Sequence, residues 1–316
     1  MAGELELIRR IAARAGMRGG VNVGIGDDAA VLDDGTILAL DMVVDGVHVS
    51  RATHSPEDIG HTALAVNISD IAAMGGLPVA AMVGLGVPDD LPAADVDRIY
   101  EAMDDLAGDN AMSIVGGDVS AAPVLTLSVA ICGRTTDGVR PVLRSGGRPG
   151  DVLVVSGPLG ASAAGLLLLG DSRLRQEVRE SDALVTTHLR PTPLVDDGLH
   201  LAESGATAMI DISDGLLLDA HRLAMASGVR AEIDLGSVPV APGVAEVAAA
   251  TGLDAEVLAA TGGEDYHLLA AVPPSAGLEP HVTVVGVLRE GEPGVVAMRD
   301  GRDVTPERLG WEHRTR

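Results

Sequence analysis

Seven aspartates follow or interrupt stiff apolar runs, most of them beside glycine or serine. They are Asp27 and Asp28 in the segment Gly24 to Asp28, Asp41 after Thr36 to Leu40, and Asp70 after Asn67, Ile68 and Ser69. Asp118 follows Gly116 and Gly117, and Asp211 and Asp214 flank Ile212 and Ser213. A carboxylate where an apolar strand ends packs poorly but can face a ligand well. Several such groups converging repel one another unless cations neutralise them, and hard divalent ions take these oxygen ligands. The pattern points to a multi-metal, phosphate-handling protein.

Elements that could position these acids are legible around them. Val31 to Leu40 reads as a hairpin turning through Asp33, Asp34 and Gly35. Ser55, Pro56, Glu57 and Asp58 open a helix that runs to Gly75 and Gly76, with Asn67, Asp70 and Met74 on one face. Such a helix is mainly apolar, so Asp70 beside Asn67 needs a polar or metallic partner. A second helix runs from Leu91 and Asp95 through Ala107, then a strand Met112 to Val115, a turn at Gly116, Gly117 and Asp118, and a strand Val124 to Gly133. The glycine-, proline- and arginine-rich stretch Thr135 to Pro149 is the best boundary, dividing the chain into domains 1–138 and 139–316. Beyond it the pattern restarts with strand Val152 to Val155, a glycine turn Ser156 to Gly160 and helix Ala161 to Leu169. That turn either binds phosphate at the helix N-terminus or permits close packing. Strand Ala208 to Ile212 sets Asp211 and Ser213 on one side, helix Leu216 to Ala226 follows Asp214, and Val282 to Val287 and Gly294 to Met298 are late strands.

Composition narrows the function. Acidic residues number 46 against 22 basic ones, a formal charge of -24, which argues against general affinity for nucleic acid or anionic membranes. Every basic residue is arginine. The absence of lysine removes the Walker A signature, the protein-kinase strand lysine and Schiff-base chemistry. Cys132, the sole cysteine, leaves no intramolecular disulfide or cysteine metal cluster and reads as core packing. No apolar run approaches the roughly 20 residues that span a bilayer, and Met1 to Arg18 lacks the form of a secretory signal, so the expectation is a soluble cytoplasmic protein.

Five motifs occur in order: Gly24 to Leu32, Ala63 to Gly75, Gly116 to Asp118, Asp211 to Leu216, and Gly262 to Tyr266. Together they resemble the thiamine-monophosphate kinase family, within the superfamily of aminoimidazole ribonucleotide synthetase, from about Glu4 to His313. The resemblance implies an α/β (α+β) fold of two domains. The N-terminal sheet would pair across a homodimer and carry metal and ATP, and a C-terminal α/β domain would close the cleft. It implies transfer of the γ-phosphoryl group of ATP to thiamine monophosphate, the final step to thiamine diphosphate, with several Mg2+ ions and K+ as a further candidate. By similarity Asp28, Asp41, Asp70, Asp118 and Asp211 are metal ligands, and Asp214 binds a further ion. Gly117, Asp118, Arg144 and Ser213 contact ATP, while His48, Glu264 and Trp311 contact the thiamine substrate. The family commonly has hydroxyl residues where this chain has Ala39 and Leu40, so a ligand from that position must be a backbone carbonyl, such as that of Leu40, or a water.

Each residue also has a plainer reading. Asp27 could cap the turn or bond a backbone amide, Asp214 could be an N-cap, and Arg144 an ordinary surface arginine. His48 could be structural, Glu264 could bond local turn amides, and Trp311 could be a core or lid residue. His54, His61 and His313 read as solvent-facing. Selenophosphate synthetase is disfavoured by the missing reactive cysteine and lysine, and the hydrogenase-maturation dehydratase by the lack of a C-terminal cysteine. Aminoimidazole ribonucleotide synthetase and a non-catalytic divalent-metal-binding protein remain as alternatives.

Overall fold

The computed structural model describes residues 4–136 and 138–311; His313 lies outside the described residues. The first half comprises α1 (Glu4–Ala12), β1 (Val21–Val23), β2 (Ala30–Leu32), β3 (Ile37–Val44), α2 (Pro56–Ala73), β4 (Leu77–Val87), α3 (Ala93–Asp109), β5 (Ser113–Ala121) and β6 (Thr126–Arg134). Its six strands lie in the order β1-β2-β3-β6-β4-β5, antiparallel except for β4 with β5. The second half comprises β7 (Val152–Val155), α4 (Ala161–Gly170), α5 (Ser172–Glu177), α6 (Ser181–Leu189), α7 (Val195–Glu203), β8 (Ala208–Asp211), α8 (Leu216–Ser227), β9 (Arg230–Asp234), α9 (Val244–Thr251), α10 (Ala255–Thr261), β10 (Leu268–Val272), β11 (Thr283–Arg289), β12 (Gly294–Arg299) and β13 (Arg302–Asp303). Its sheet runs β13-β12-β9-β11-β7-β10-β8, with only β12 and β9 parallel.

Helix α2 is the shared element. Ser55 and Asp58 form the expected capping box, each side chain bonding the other's backbone N–H, and Pro56 opens the first turn. Of its 18 residues 14 are buried, as a helix sheathed on every side requires. One side packs into the N-terminal core with Ile37, Leu127 and Ile131. At its far end Ala73 joins Val154, Leu201, Met209 and Leu268 of the C-terminal half. Gly198 of α7 lies so close that a Cβ there would collide with the Ala72 carbonyl. Thr62 and His61 reach across to the carbonyls of Leu189 and Pro191, and Asp58 also pairs with Arg190.

The hairpin forms as expected, Ala30 opposite Leu38 and Val31 opposite Ile37. The expected turn at Gly116, Gly117 and Asp118 is instead the middle of β5, with a bulge against β4. Glycine is required at 117 because a Cβ would run into the Val83 carbonyl. The outward face of the N-terminal sheet carries exposed Leu38, Leu40, Met42, Val79, Met82, Val115 and Val119. Cys132 is half-buried on this sheet rather than in the core, because β6 alternates and its odd-numbered neighbours take the inward positions.

Candidate active site

Four elements from both halves meet at one acidic centre. The bend before β2 supplies Asp27 and Asp28, β3 supplies Asp41, α2 supplies Asn67, Ser69 and Asp70, and the end of β8 supplies Asp211. Among the described residues, Asp28, Asp70 and Asp211 each offer a carboxylate oxygen, and these oxygens lie within 4.8 Å of one another. The Ser69 hydroxyl donates to Asp211 at 2.7 Å. Asn67 accepts the Asp41 N–H at 2.9 Å and donates to the Ala63 carbonyl, tying β3 to α2.

The linker between the sheets brings Arg144 into this centre. Its guanidinium donates to Asp28 Oδ1 at 2.8 Å, with the Asp28 side chain 0% exposed. It is therefore not a surface arginine. The Asp27 carboxylate accepts the backbone N–H groups of Asp28 and Arg144, so it acts as the anchor of the plainer reading, securing the linker to the β2 bend. Asp28 Oδ2 and Arg144 Nε are buried without a hydrogen-bond partner. A buried carboxylate oxygen and a buried N–H left in this way are costly unless something binds there.

Electrostatics reflect the crowding. Burial first, then neighbouring aspartates, pushes the Asp70 and Asp211 carboxyls well above the usual range. Asp41 is raised by desolvation in the cleft and then by Asp28 and Asp214. Burial opposes the charge on Arg144, but Asp28, Asp211 and Asp27 outweigh it and hold the guanidinium firmly protonated. A cation among Asp28, Asp70 and Asp211 would relieve the repulsion and take the orphaned Asp28 oxygen, so the donor set suits a hard divalent ion.

The remaining predicted residues sit in different surroundings. Asp118 is exposed on the edge strand β5 and accepts from Ser120. It shares a groove with Gly117, Tyr100, Asp97, Glu101 and Asp104. Leu40 points its side chain to the outward face, 57% exposed. Asp214 is not an N-cap: it pairs with Arg222 at 2.6 Å, while Asp219, 0% exposed, accepts the N–H groups of Asp214 and Gly215. The strand ends at Asp211, so its alternation does not extend to Ser213.

The loop after α10 is pinned at three points. The Glu264 N–H donates to the Ser213 carbonyl, and the Tyr266 N–H to that of Ile212. The Asp265 carboxylate accepts the N–H groups of Gly160 and Ser162. Asp265 thus fills the N-terminus of α4, and the glycine turn there serves packing rather than phosphate binding. The Glu264 carboxylate faces His188 at 3.4 Å rather than a turn amide; burial, then Asp214 and Asp265, raises it to about 7. Trp311 is 53% exposed, not a core residue; its backbone N–H donates to the Asp214 carbonyl, and Arg308 lies over its ring. His48 Nδ1 accepts the Val44 N–H at 3.2 Å, within its own turn. His54 and His61 are packed rather than solvent-facing, and burial lowers both.

Sequence reasoning missed Asp219, Arg222, Ser69, Tyr100 and His188. Asp219 had a signal, an acid inside the apolar run Leu216 to Ala220 with an arginine three residues on. Ser69 and His188 had none, because Asp211 and Glu264, the acids they meet, are more than 70 residues away in sequence.

Models of the AIR synthase related protein N-terminal and C-terminal domains match residues 26–135 and 148–296. A thiamine-monophosphate kinase of Bacillus subtilis is 36% identical, covering 98% of this chain and 99% of its own length. Its counterpart in Mycobacterium tuberculosis is 37% identical over 98% and 91%. Among solved structures, AaThiL complexed with AMPPCP and TMP superposes with a TM-score of 0.86 at 36% identity, covering 98% of this chain and 97% of that one. With both domains matched and full-length relatives above a third identical, the chain belongs to the thiamine-monophosphate kinase family.

Proposed function

We propose that this chain transfers the γ-phosphoryl group of ATP to the phosphate of thiamine monophosphate, giving thiamine diphosphate and ADP, the final step in making that cofactor. The observation that carries the reading is the Arg144–Asp28 pair, whose two buried, unpartnered atoms ask for an anion and a cation together. A metal-bound polyphosphate supplies both. A phosphate oxygen of the acceptor forms the new bond to the γ-phosphorus as the bond to the β,γ-bridging oxygen breaks. That oxygen is already ionised near neutrality, so no general base is needed, and positioning and charge neutralisation carry the rate.

Asp28, Asp41, Asp70, Asp118 and Asp211 would hold magnesium, with Asp214 on a further ion, the Leu40 carbonyl completing one site and potassium a candidate at the periphery. When bound, magnesium supplies charge neutralisation between donor and acceptor phosphates. Arg144 orients the polyphosphate through its planar fork, Ser213 donates its hydroxyl to the nucleotide, and Gly117 admits ATP close to the β5 backbone beside Asp118. Glu264, His48 and Trp311 hold the thiamine end. Domain 139–316 closes the cleft over domain 1–138. The exposed apolar face of the N-terminal sheet fits pairing with a second copy, since a patch of this kind marks an interface. A cytoplasmic setting accords with the cysteine-poor chain; among the described residues no helix is long and apolar enough to cross a membrane.

The test incubates the purified chain with magnesium, ATP and either thiamine monophosphate or thiamine, and separates the products by chromatography. Thiamine diphosphate and ADP in equal amounts, from the monophosphate alone, are expected. A folded, ATP-binding protein that makes neither would overturn the reading in favour of a non-catalytic metal-binding role.

A further inference from the structure

A polar cluster at the cleft is left unused by the phosphoryl chemistry. His188 of α6 has its side chain 4% exposed. Its Nδ1 lies 3.0 Å from the Ser162 hydroxyl, in the first turn of α4, and 3.4 Å from Glu264 Oε2. The ring meets His54 edge-on, with centroids 5.6 Å apart.

Backbone geometry explains why Glu264 arrives there. It stands at φ 65, the left-handed region in which a non-glycine residue is uncommon and strained. Asp265, the next residue, is turned back onto the N-terminus of α4, and Glu264 and Tyr266 are hydrogen-bonded through their N–H groups to the segment after β8. The side chain between these anchors is aimed at the imidazole. In its ionised form the Glu264 carboxylate only accepts hydrogen bonds, and His188 Nδ1, shared with the Ser162 hydroxyl, is the ring nitrogen that faces it. Burial, and then His54, lowers His188 to about 4, so the ring stays neutral and carries a single N–H.

We propose that His188 is a positioning residue for substrate selection: through Nδ1 it fixes the Glu264 carboxylate in the cleft, so that this carboxylate selects an acceptor whose heterocycle carries an amine or ring N–H. The proposal rests on the reading that Glu264 meets the thiamine end. The 3.4 Å contact shortens when substrate completes the site, as such contacts do on complex formation.

The experiment measures steady-state kinetics of full-length variants with ATP and thiamine monophosphate, alongside thermal melts. Losing the Nδ1 contact with the Glu264 carboxylate, which closes to a hydrogen bond in the substrate complex, His188→Leu raises KM for thiamine monophosphate about tenfold, with kcat and KM for ATP within about twofold. His188→Asn, whose amide nitrogen can stand at the Nδ1 position, restores the low KM. His188→Gln, of similar polarity but with its amide displaced from that position, does not, and the Asn and Gln pair decides the matter even if the leucine variant does not fold. Glu264→Gln raises the same KM, and adding His188→Leu to it raises it no further, since both changes remove one interaction. Equal KM changes for both substrates, additive effects, or no difference between Asn and Gln overturn the role of His188 while leaving Glu264 in place. A wild-type KM in Glu264→Gln overturns the placement of the thiamine end as well, which separates the two failures.

Discussion

Asp211 and Asp219 sit eight positions apart and are both sealed from solvent, 3% and 0% exposed. Asp219 is satisfied from within: two backbone N–H groups and Arg222 point at it. Asp211 has the Ser69 hydroxyl on one oxygen and otherwise faces Asp28 and Asp70. Burial raises both carboxyls, yet only Asp219 is supplied with the donors a buried acid needs. A buried aspartate ringed by donors holds the fold, whereas one ringed by other aspartates is completed by a cation.

The sharpest way to break that comparison is Asp211→Asn. kcat/KM should fall about 10³-fold, roughly 4 kcal/mol, as the loss of one electrostatic element at a reacting centre implies. Relief of repulsion should leave the melting temperature in chelator unchanged or higher. Asp219→Ala should do the reverse, costing about 3 kcal/mol of stability by stranding two amides and leaving the half-buried Arg222 with Asp214 alone, read by urea unfolding, with activity per folded molecule less affected than in Asp211→Asn. Magnesium at a hundred times its Kd should raise the stability of the wild type by about 2.7 kcal/mol, and a thermal melt should show a smaller gain in Asp211→Asn.

The smallest effect is in pH. His188 and His267 are both lowered to about 4, chiefly by burial, from the 6.5 of a free histidine. The unfolded chain therefore binds more protons between those values, and stability present above pH 6.5 is lost as pH falls towards 4. His188→Asn should flatten that loss by about 2 kcal/mol at pH 5, measured by urea unfolding across the range.

What the sequence made legible was local. The capping box of α2, the β2–β3 hairpin and most strands follow from short-range chemistry, and the convergence of Asp28, Asp70 and Asp211 was anticipated from acids that follow or interrupt stiff apolar runs. Most misreadings share one cause, a partner distant in the chain; Asp214 is the exception, its partners lying on the next helix. Gly117 reads as a turn residue until the Val83 carbonyl lies against it. Asp214 reads as a cap until Asp219 takes the amides and Arg222 takes its carboxylate. His61 reads as solvent-facing until the loop after α6 delivers the Pro191 carbonyl. The phosphate-binding reading of the turn before α4 lapsed because Asp265, about a hundred residues on, already supplies the anion.

Helix α2 carries a last consequence. It lines the core beneath one sheet, reaches into the core beneath the other and holds Asp70 between them. The two halves therefore share an interior and cannot come apart without baring that helix. Scanning calorimetry should show a single endotherm whose van't Hoff and calorimetric enthalpies agree. Damage to either half should then register as loss of the whole catalyst rather than of one domain.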